Sequence, residues 1–255
     1  PFTLFGIALL ATGLFVNNFE RLDRAANSAQ LYQQANDLAN ELEYKAAENT
    51  VYLNAAASLF SGSEEVSKRQ LSDLIADLGE RAAERGVLGV GWARWMKAGD
   101  IEAFQAEQRE ATNAPDFTIR PVPISPFAEM AVIAVLAPDT ESNHAALGYD
   151  MYSEAKRRTA MDAAISTGRA SATAKVQLVQ DFNRGTRPGF LIYVPVFARQ
   201  STDRRWVKGP LKGFVYSPIR AQEFLSAALR RVPHEDINVQ LYDGPVQASN
   251  KLAES

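Results

Sequence analysis

Hydrophobic and polar positions along the chain predict one long helix followed by alternating strands and shorter helices. Residues 18–61 contain neither proline nor glycine, and alanine, leucine, glutamate and glutamine dominate them. Such a composition favours a single uninterrupted helix of about 65 Å. The sequence Ser61-Gly62-Ser63 then predicts the end of this helix and the start of another over residues 64–85.

Small and apolar residues repeat along the long helix in alternating steps of three and four. The repeat runs through Ala39, Leu42, Ala46, Asn49, Leu53, Ala56 and Phe60, and extends backward through Ala25, Ser28, Tyr32 and Ala35. This spacing is typical of a helical dimer seam, in which one polar position, here Asn49, helps to fix the register. The alternative is that the stripe packs on the sheet of its own chain, and the two interpretations are compatible.

In the remainder of the chain, the spacing of apolar residues alternates between a period of two, which is typical of strands, and a period of 3.6, which is typical of helices. Predicted strands cover residues 87–95, 117–124, 130–137, 145–151, 175–179, 189–197, 211–217 and 237–242, and predicted helices cover 100–111, 154–167 and 221–231. Ser153 is the predicted N-cap of the helix 154–167, and Gly168 is its predicted end. Strands with helices packed at one side, joined by short turns, imply an α+β fold with antiparallel sheets.

The segment Ala145–Met151 is predicted to be a buried strand that carries a single carboxylate. Alternate residues of a strand share a face, so Ala146, Gly148 and Asp150 are expected to point the same way. That face combines two small side chains with one charge. The pattern is typical of a small-molecule pocket with one polar anchor.

A carboxylate in an apolar pocket is stable only when hydrogen-bond donors compensate its burial. A ligand with N–H donors, such as an adenine amine, an amide or an ammonium, supplies that compensation, whereas an anion is rejected. The alternative for Asp150 is that backbone N–H groups at the start of the next helix satisfy it. Arg157 and Arg158 on that helix are expected to be exposed to solvent or to pair with acidic side chains.

The other candidate ligand-binding residues are mostly apolar. Thr173, flanked by Ala172, offers a hydroxyl on the strand that follows the helix, and an ordinary surface position explains it equally well. The candidate pocket walls are Val132, Ala134, Leu136, Phe117, Phe190, Tyr193 and Phe214. Each of these wall residues equally suits a core position without any ligand.

The composition excludes several classes of function. The formal net charge of −3 gives no reason to expect nucleic-acid binding, and the absence of cysteine excludes disulfides and thiolate chemistry. Two histidines far apart in sequence do not make a metal site, and no catalytic motif is present. No cofactor is expected. Phe2–Val16 is apolar and is predicted to be the end of a transmembrane helix, with an ordinary buried helix as the alternative.

Several blocks of the chain, in order, resemble the CHASE domain. They are Gly91-Trp92, Phe117-Thr118-Ile119-Arg120-Pro121, Leu147-Gly148-Tyr149-Asp150, Val176-Gln177-Leu178-Val179, Gly189–Phe197 and Gly213-Phe214-Val215-Tyr216. CHASE domains are the extracellular sensory modules of many transmembrane histidine kinases and nucleotide cyclases. The resemblance implies a long stalk helix followed by two PAS-like lobes with antiparallel sheets.

The resemblance also implies a domain organisation and a ligand site. It assigns residues 1–16 to the end of a transmembrane helix, 17–61 to the stalk, 62–185 to a membrane-distal ligand-binding lobe and 186–255 to a membrane-proximal lobe. Plant members bind cytokinins, which are N6-substituted adenines, through the aspartate that corresponds to Asp150. The chain departs from the family at Met130–Val135, where an aromatic residue and Pro-Val are often found, so the ligand class does not transfer.

The sequence therefore predicts a sensor domain on the periplasmic or extracellular side of the inner membrane. We expect it to bind a small ligand with N–H donors, to dimerise through the stalk and to have no enzymatic activity of its own. The main alternative is a dimerisation and spacer module without a ligand. A third possibility, an extracellular hydrolase, would require a cleft with paired carboxylates or a nucleophile.

Overall fold

The long N-terminal helix is the first element of the fold. The computed structural model describes residues 2–62, 73, 86–112, 115–181, 185, 187–202, 205–232 and 238–255, with side chains from Ala29 onward except at 111–112, 200–202 and 205–208. Helix α1 spans Phe2–Gly62. This confirms the predicted long helix, whereas the helix predicted over residues 64–85 lies outside the described residues except at Asp73, which is helical.

A six-stranded antiparallel sheet follows the helix. Its strands are β1 (Val90–Lys97), β2 (Glu129–Ala137), β3 (Ser171–Ala172), β4 (Val176–Gln177), β5 (Pro188–Thr202) and β6 (Arg205–Arg220). They lie in the order β2-β1-β6-β5-β3, and β4 also pairs with β5. A separate two-stranded sheet pairs β7 (Gln240–Tyr242) with β8 (Lys251–Glu254). From residue 86 onward the described residues also form the helices α2 (Ile101–Thr112), α3 (Glu141–His144), α4 (Ala155–Thr167) and α5 (Ala221–Leu229).

The α+β class with a long helix and antiparallel strands is thus confirmed. Strands β5 and β6 follow residue 186 in the chain and share one sheet with β1 and β2. The division into two PAS-like lobes at residues 185 and 186 stays a prediction.

The six-stranded sheet separates two apolar layers. On one face, Val132 and Ala134 of β2 pack in a core that includes Leu53 and Phe60 of α1. On the other face, Ile133 packs in a core that includes the buried side of α4. Residues on both faces of β2 are therefore buried, which explains why its sequence is apolar at consecutive positions.

The heptad stripe of α1 packs on its own chain over the length of the sheet. Leu53, Ala56 and Phe60 are buried in the core between α1 and the sheet, and Asn49 is also buried. Lys212 Nζ on β6 donates a hydrogen bond to the carbonyl oxygen of Phe60 at 3.0 Å. This part of the stripe therefore follows the alternative interpretation, and it is not available as a dimer seam.

The segment Ala145–Met151 is not a strand, so this prediction is wrong. Residues 145–148 form a turn after α3, and Tyr149 and Asp150 make only isolated bridges. Gly148 has a φ of +76°, which lies outside the extended region and ends any alternation of faces. Residues 117–124 are likewise mostly irregular, with a single bridge at Arg120.

The start of α4 also differs from the prediction. Glu154, not Ser153, is the N-cap, and its carboxylate accepts hydrogen bonds from the backbone N–H groups of Lys156 and Arg157. Ser153 instead belongs to a 3₁₀ turn over Met151–Ser153, and its hydroxyl donates to the carbonyl oxygen of Asp150. The end of α4 at Gly168, in the left-handed conformation, is as predicted.

Candidate functional site

The turn that carries Asp150 covers the free edge of the sheet. Strand β2 lies at one end of the strand order, so its outer backbone groups lack a neighbouring strand. Ile133 N donates to the carbonyl oxygen of Tyr149 at 3.0 Å, and Gly148 N donates to that of Ile133 at 2.9 Å. Asp150 N in turn donates to the carbonyl oxygen of Arg120 at 2.7 Å. Two irregular segments therefore complete the sheet where a strand would otherwise be needed.

One oxygen of the Asp150 carboxylate belongs to this edge structure. Oδ1 accepts hydrogen bonds from Ala131 N at 2.9 Å and from Tyr152 N at 3.0 Å. The first bond satisfies an edge amide of β2, and the second caps the 3₁₀ turn. Asp150 as a whole residue is 3% exposed. The hydrogen bonds that its carboxylate accepts within the described part of the chain both go to Oδ1, and Oδ2 is not one of the fully buried polar atoms that lack a partner. Only one of the two carboxylate oxygens is therefore hydrogen-bonded to the main chain.

Burial changes the proton affinity of this carboxyl group. Desolvation raises the pKa of Asp150 from 3.8 to about 6, against the opposing effects of the two backbone hydrogen bonds and the positive charge of Arg158. At neutral pH the group is still ionised. An N–H donor placed against Oδ2 would stabilise the ionised carboxylate and so oppose the effect of burial on the pKa of Asp150.

The raised pKa predicts a pH dependence of stability. Because the folded pKa lies above the unfolded value, the contribution of Asp150 is complete below about pH 4 and is lost as the pH rises through about 6. An asparagine side chain cannot titrate, so the free energy of unfolding of the wild type minus that of Asp150→Asn should fall by about 2–3 kcal/mol from pH 4 to pH 7. Urea titrations of both proteins at each pH give this difference. A difference that stays constant would show that Asp150 titrates alike in both states.

A surface groove of about 320 Å³ lies beside Asp150. Its lining consists of Pro121, Val122, Pro123, Ala128, Glu129, Asp150, Tyr152, Ser153 and Arg158. Arg158 Nη1 donates to the carbonyl oxygen of Tyr152 at 3.1 Å, and its guanidinium lies 5.8 Å from the centre of the Tyr152 ring. The groove thus combines two carboxylates with one guanidinium that is already held by the turn.

The other predicted pocket residues lie elsewhere, on both faces of the sheet. Phe117, Val132 and Ala134 are buried on the α1 face, and Phe190 packs against the same core. Leu136, Tyr193 and Phe214 are buried on the α4 face. Gly148 belongs to the edge turn, where its backbone lies against the carbonyl oxygen of Thr118. Among the predicted residues, Asp150 alone lines the groove.

Thr173 and Ala172 are at the opposite edge of the sheet. Ala172 pairs with Ile192 of β5, and Thr173 exchanges hydrogen bonds with Leu191 through its backbone N–H and its Oγ1, at 2.8 and 3.0 Å. Strands β1, β6 and β5 lie between this edge and β2. The hydroxyl of Thr173 therefore extends the pairing of β3, and the fold does not bring it near Asp150.

Sequence reasoning missed the burial of Arg157. This residue is 2% exposed, so the prediction of a solvent-exposed side chain is wrong. Ala160, Met161 and Ala164 form the buried side of α4. Arg157 lies three, four and seven positions before them, so the helical period places it on the same side. Arg158, one position on, lies at the groove as described above.

Comparison with known proteins places the chain in a family. The CHASE domain family model matches residues 64–253, and no curated protein matches the chain. Among the residues that the structure describes, no helix is long and apolar enough to cross a membrane, and no group of three or more acidic, histidine or cysteine side chains is arranged to hold a metal ion. The side chains of Phe2–Val16 lie outside the described residues. The chain belongs to the CHASE domain family, the non-catalytic extracellular sensor domains of membrane receptors.

Proposed function

We propose that this chain is the sensor domain of a transmembrane receptor with a histidine kinase or diguanylate cyclase output. It binds a small molecule in the groove beside Asp150. The proposal includes a position on the periplasmic or extracellular side of the inner membrane, with attachment through residues 2–16. The proposed ligand site rests on one observation, the burial and hydrogen bonding of Asp150. The residue is 3% exposed and lines the groove, and the main chain uses only one of its two carboxylate oxygens.

The chemistry of the groove favours a ligand with N–H donors. Glu129 and Asp150 contribute two negative charges, and Arg158 contributes one positive charge. A donor against Oδ2 would form a charge-assisted hydrogen bond, worth about 1.5–3 kcal/mol. The volume of about 320 Å³ lies near the lower limit for small-molecule sites, which suits a ligand of the size of a purine base or an amine. An adenine-type ligand is one member of this class.

Thermal unfolding in the presence of candidate ligands tests the proposed function. Adenines, amines and amino acids at a hundredfold excess over the dissociation constant should stabilise the protein by about 2.7 kcal/mol if they bind only the folded state. Stabilisation by at least one N–H donor and by none of the matched compounds without such donors is the expected result. A flat response across the panel would favour a spacer module without a ligand. The two main-chain hydrogen bonds to Oδ1 support this second candidate, because they give Asp150 a structural role without a ligand.

We also propose that a second copy of the chain packs on α1. The face of α1 opposite the sheet exposes Tyr44, Val51 and Leu59, each by more than half of its surface. An isolated helix that extends beyond its domain is marginal in water, and packing of an apolar face on another helix stabilises it. This homodimer differs from the predicted seam because its contact residues lie on the other side of the helix.

Replacing Val51 with glutamate should weaken this dimer. Val51 is 65% exposed in one chain, so the substitution disturbs no core, but it would place a charge in the proposed contact. We expect at least a tenfold rise in the dimer dissociation constant, about 1.4 kcal/mol, in sedimentation equilibrium. Gln247→Glu, which adds the same charge at an exposed position far along the chain, should leave the dissociation constant unchanged. A monomeric wild type would contradict the proposal.

A further inference from the structure

Arg158 places a positive charge in the groove beside Asp150. Its Nη1 donates a hydrogen bond to the carbonyl oxygen of Tyr152 at 3.1 Å, and its guanidinium carbon lies 5.8 Å from the centre of the Tyr152 ring. Within the described part of the chain this is the one hydrogen bond of the side chain, and its acceptor is uncharged. An arginine side chain has several N–H donors, so most of them are left for a further acceptor. A carboxylate is the acceptor that best matches the planar guanidinium.

The main chain of Tyr152 holds the guanidinium close to Asp150. The N–H of Tyr152 donates to Asp150 Oδ1 at 3.0 Å, and its carbonyl oxygen accepts the hydrogen bond from Arg158. Because only this residue separates the two hydrogen bonds, the carboxylate and the guanidinium are less than about 10 Å apart. An α-amino acid that is hydrogen-bonded through both its ammonium and its carboxylate group bridges partners roughly 6–9 Å apart. One such molecule can therefore reach both side chains from within the groove.

The charges of the groove favour a zwitterion over a simple ion. Glu129 and Asp150 contribute two negative charges, and Arg158 contributes one positive charge. The two carboxylates would repel a simple anion, and a simple amine would leave the guanidinium without a charged partner. A molecule with an ammonium group and a carboxylate group is complementary to both signs of charge.

The rest of the groove is apolar. Its lining includes Pro121, Val122, Pro123 and Ala128. Val122 is 63% exposed, so contact with an apolar side chain of a ligand would remove part of its surface from water. A groove of about 320 Å³ has room for the body of a small aliphatic amino acid.

We propose that the groove binds zwitterionic α-amino acids with a small apolar side chain. The ammonium group donates to Asp150 Oδ2, the carboxylate accepts hydrogen bonds from Arg158, and the side chain packs on Val122. This inference rests on the proposed function, because it uses the same groove and the same oxygen of Asp150. It goes further in that it assigns a residue to the carboxylate and separates amino acids from adenines and simple amines.

Titration calorimetry of the full chain with L-alanine, L-valine and L-leucine tests this inference. Each amino acid is compared with the amine that lacks its carboxylate, namely ethylamine, isobutylamine and isopentylamine. We expect at least one amino acid to bind, and to bind at least about tenfold more tightly than its amine, the effect of hydrogen bonds to a charged group. Isovalerate, which is valine without its ammonium group, should not bind. A pH of 8 keeps the Asp150 carboxyl group, with its pKa of about 6, ionised.

Replacing Arg158 with glutamine should remove the preference for amino acids. Arg158→Gln should lower the affinity for the amino acid about tenfold and should not lower that for its amine, a split that a general loss of structure would not produce. Arg109→Gln is the matched control. Arg109 also donates one hydrogen bond to a backbone carbonyl, that of Phe117 at 3.1 Å, but it does not line the groove. This control should bind the amino acid as the wild type does.

The outcomes separate this inference from the proposed function. If adenine or an amine binds and none of the three amino acids does, the inference is overturned and the proposed function stands. If none of these compounds binds, both are overturned. Wild-type affinity for the amino acid in Arg158→Gln overturns the inference even when Asp150→Asn no longer binds it.

Discussion

Replacing Asp181 with alanine is expected to lower the free energy of unfolding by about 3–5 kcal/mol. Asp181 is fully buried, and its two oxygens accept hydrogen bonds from Arg220 Nη2 at 2.6 Å and Arg220 Nε at 2.8 Å. The pair ties the 3₁₀ turn over Val179–Asp181 to the point where β6 ends and α5 begins. The substitution would leave the guanidinium, which is only 16% exposed, with Glu223 as its remaining partner, a 42% exposed side chain whose Oε1 lies 3.6 Å from Arg220 Nη1.

A second arginine–carboxylate pair provides a control for this effect. Arg94 Nη1 donates to both oxygens of Glu107, at 2.8 and 2.9 Å, but each of these side chains is 43% exposed. Solvent screens such a pair, so Glu107→Ala should change the free energy of unfolding by less than about 1 kcal/mol. Urea denaturation followed by circular dichroism measures both variants. Equal effects of Asp181→Ala and Glu107→Ala would show that burial does not set the strength of the Asp181 pair.

Replacing Gly148 with alanine is expected to destabilise the protein by more than about 2 kcal/mol. Gly148 has a φ of +76°, a conformation that costs other residues roughly 1–2 kcal/mol. A Cβ atom at this position would also overlap the carbonyl oxygen of Thr118. Relief of that overlap requires the turn to move away from the segment of Thr118, and the hydrogen bonds from Arg120 N to Gly148 and from Asp150 N to Arg120 would weaken with it.

Gly244 separates the two causes of this loss. It has a similar φ of +82°, but no atom lies within 4 Å of the position that a Cβ would take. Gly244→Ala should therefore show only the conformational part, about 1–2 kcal/mol. The difference between the two variants in chemical denaturation reports the contact with Thr118. If both variants lower the free energy of unfolding equally, the contact between Gly148 and Thr118 does not restrict the turn.

The elements with a distinctive local composition were predictable from the sequence. The long helix α1, the strand β2 and the helix α4 follow from local composition, because each buries enough side chains to decide its own conformation. The segment Ala145–Met151 was not predictable in this way. Its alternation suits a strand, but the positive φ of Gly148 and hydrogen bonds to residues distant in the chain determine its conformation.

The position of Asp150 was predictable only in part. The sequence identified a carboxylate between small residues and also offered main-chain N–H groups as its alternative partners, and Oδ1 does have such partners. Which residues surround it depends on the strand order β2-β1-β6-β5-β3, which local pattern does not reveal. For this reason Thr173 and Phe190 were placed with Asp150, although they lie at another edge and on another face.

Titration calorimetry of Asp150→Asn tests the central claim, that the second oxygen of Asp150 receives an N–H donor from a ligand. The titrant is the compound that most stabilises the wild type in the thermal screen. Asparagine keeps an oxygen for the amides of Ala131 and Tyr152 but presents an NH₂ group to the groove, so the fold should persist. We predict that the affinity falls at least about tenfold relative to the wild type. Wild-type affinity in the folded variant would contradict the assignment of Asp150 to the ligand site.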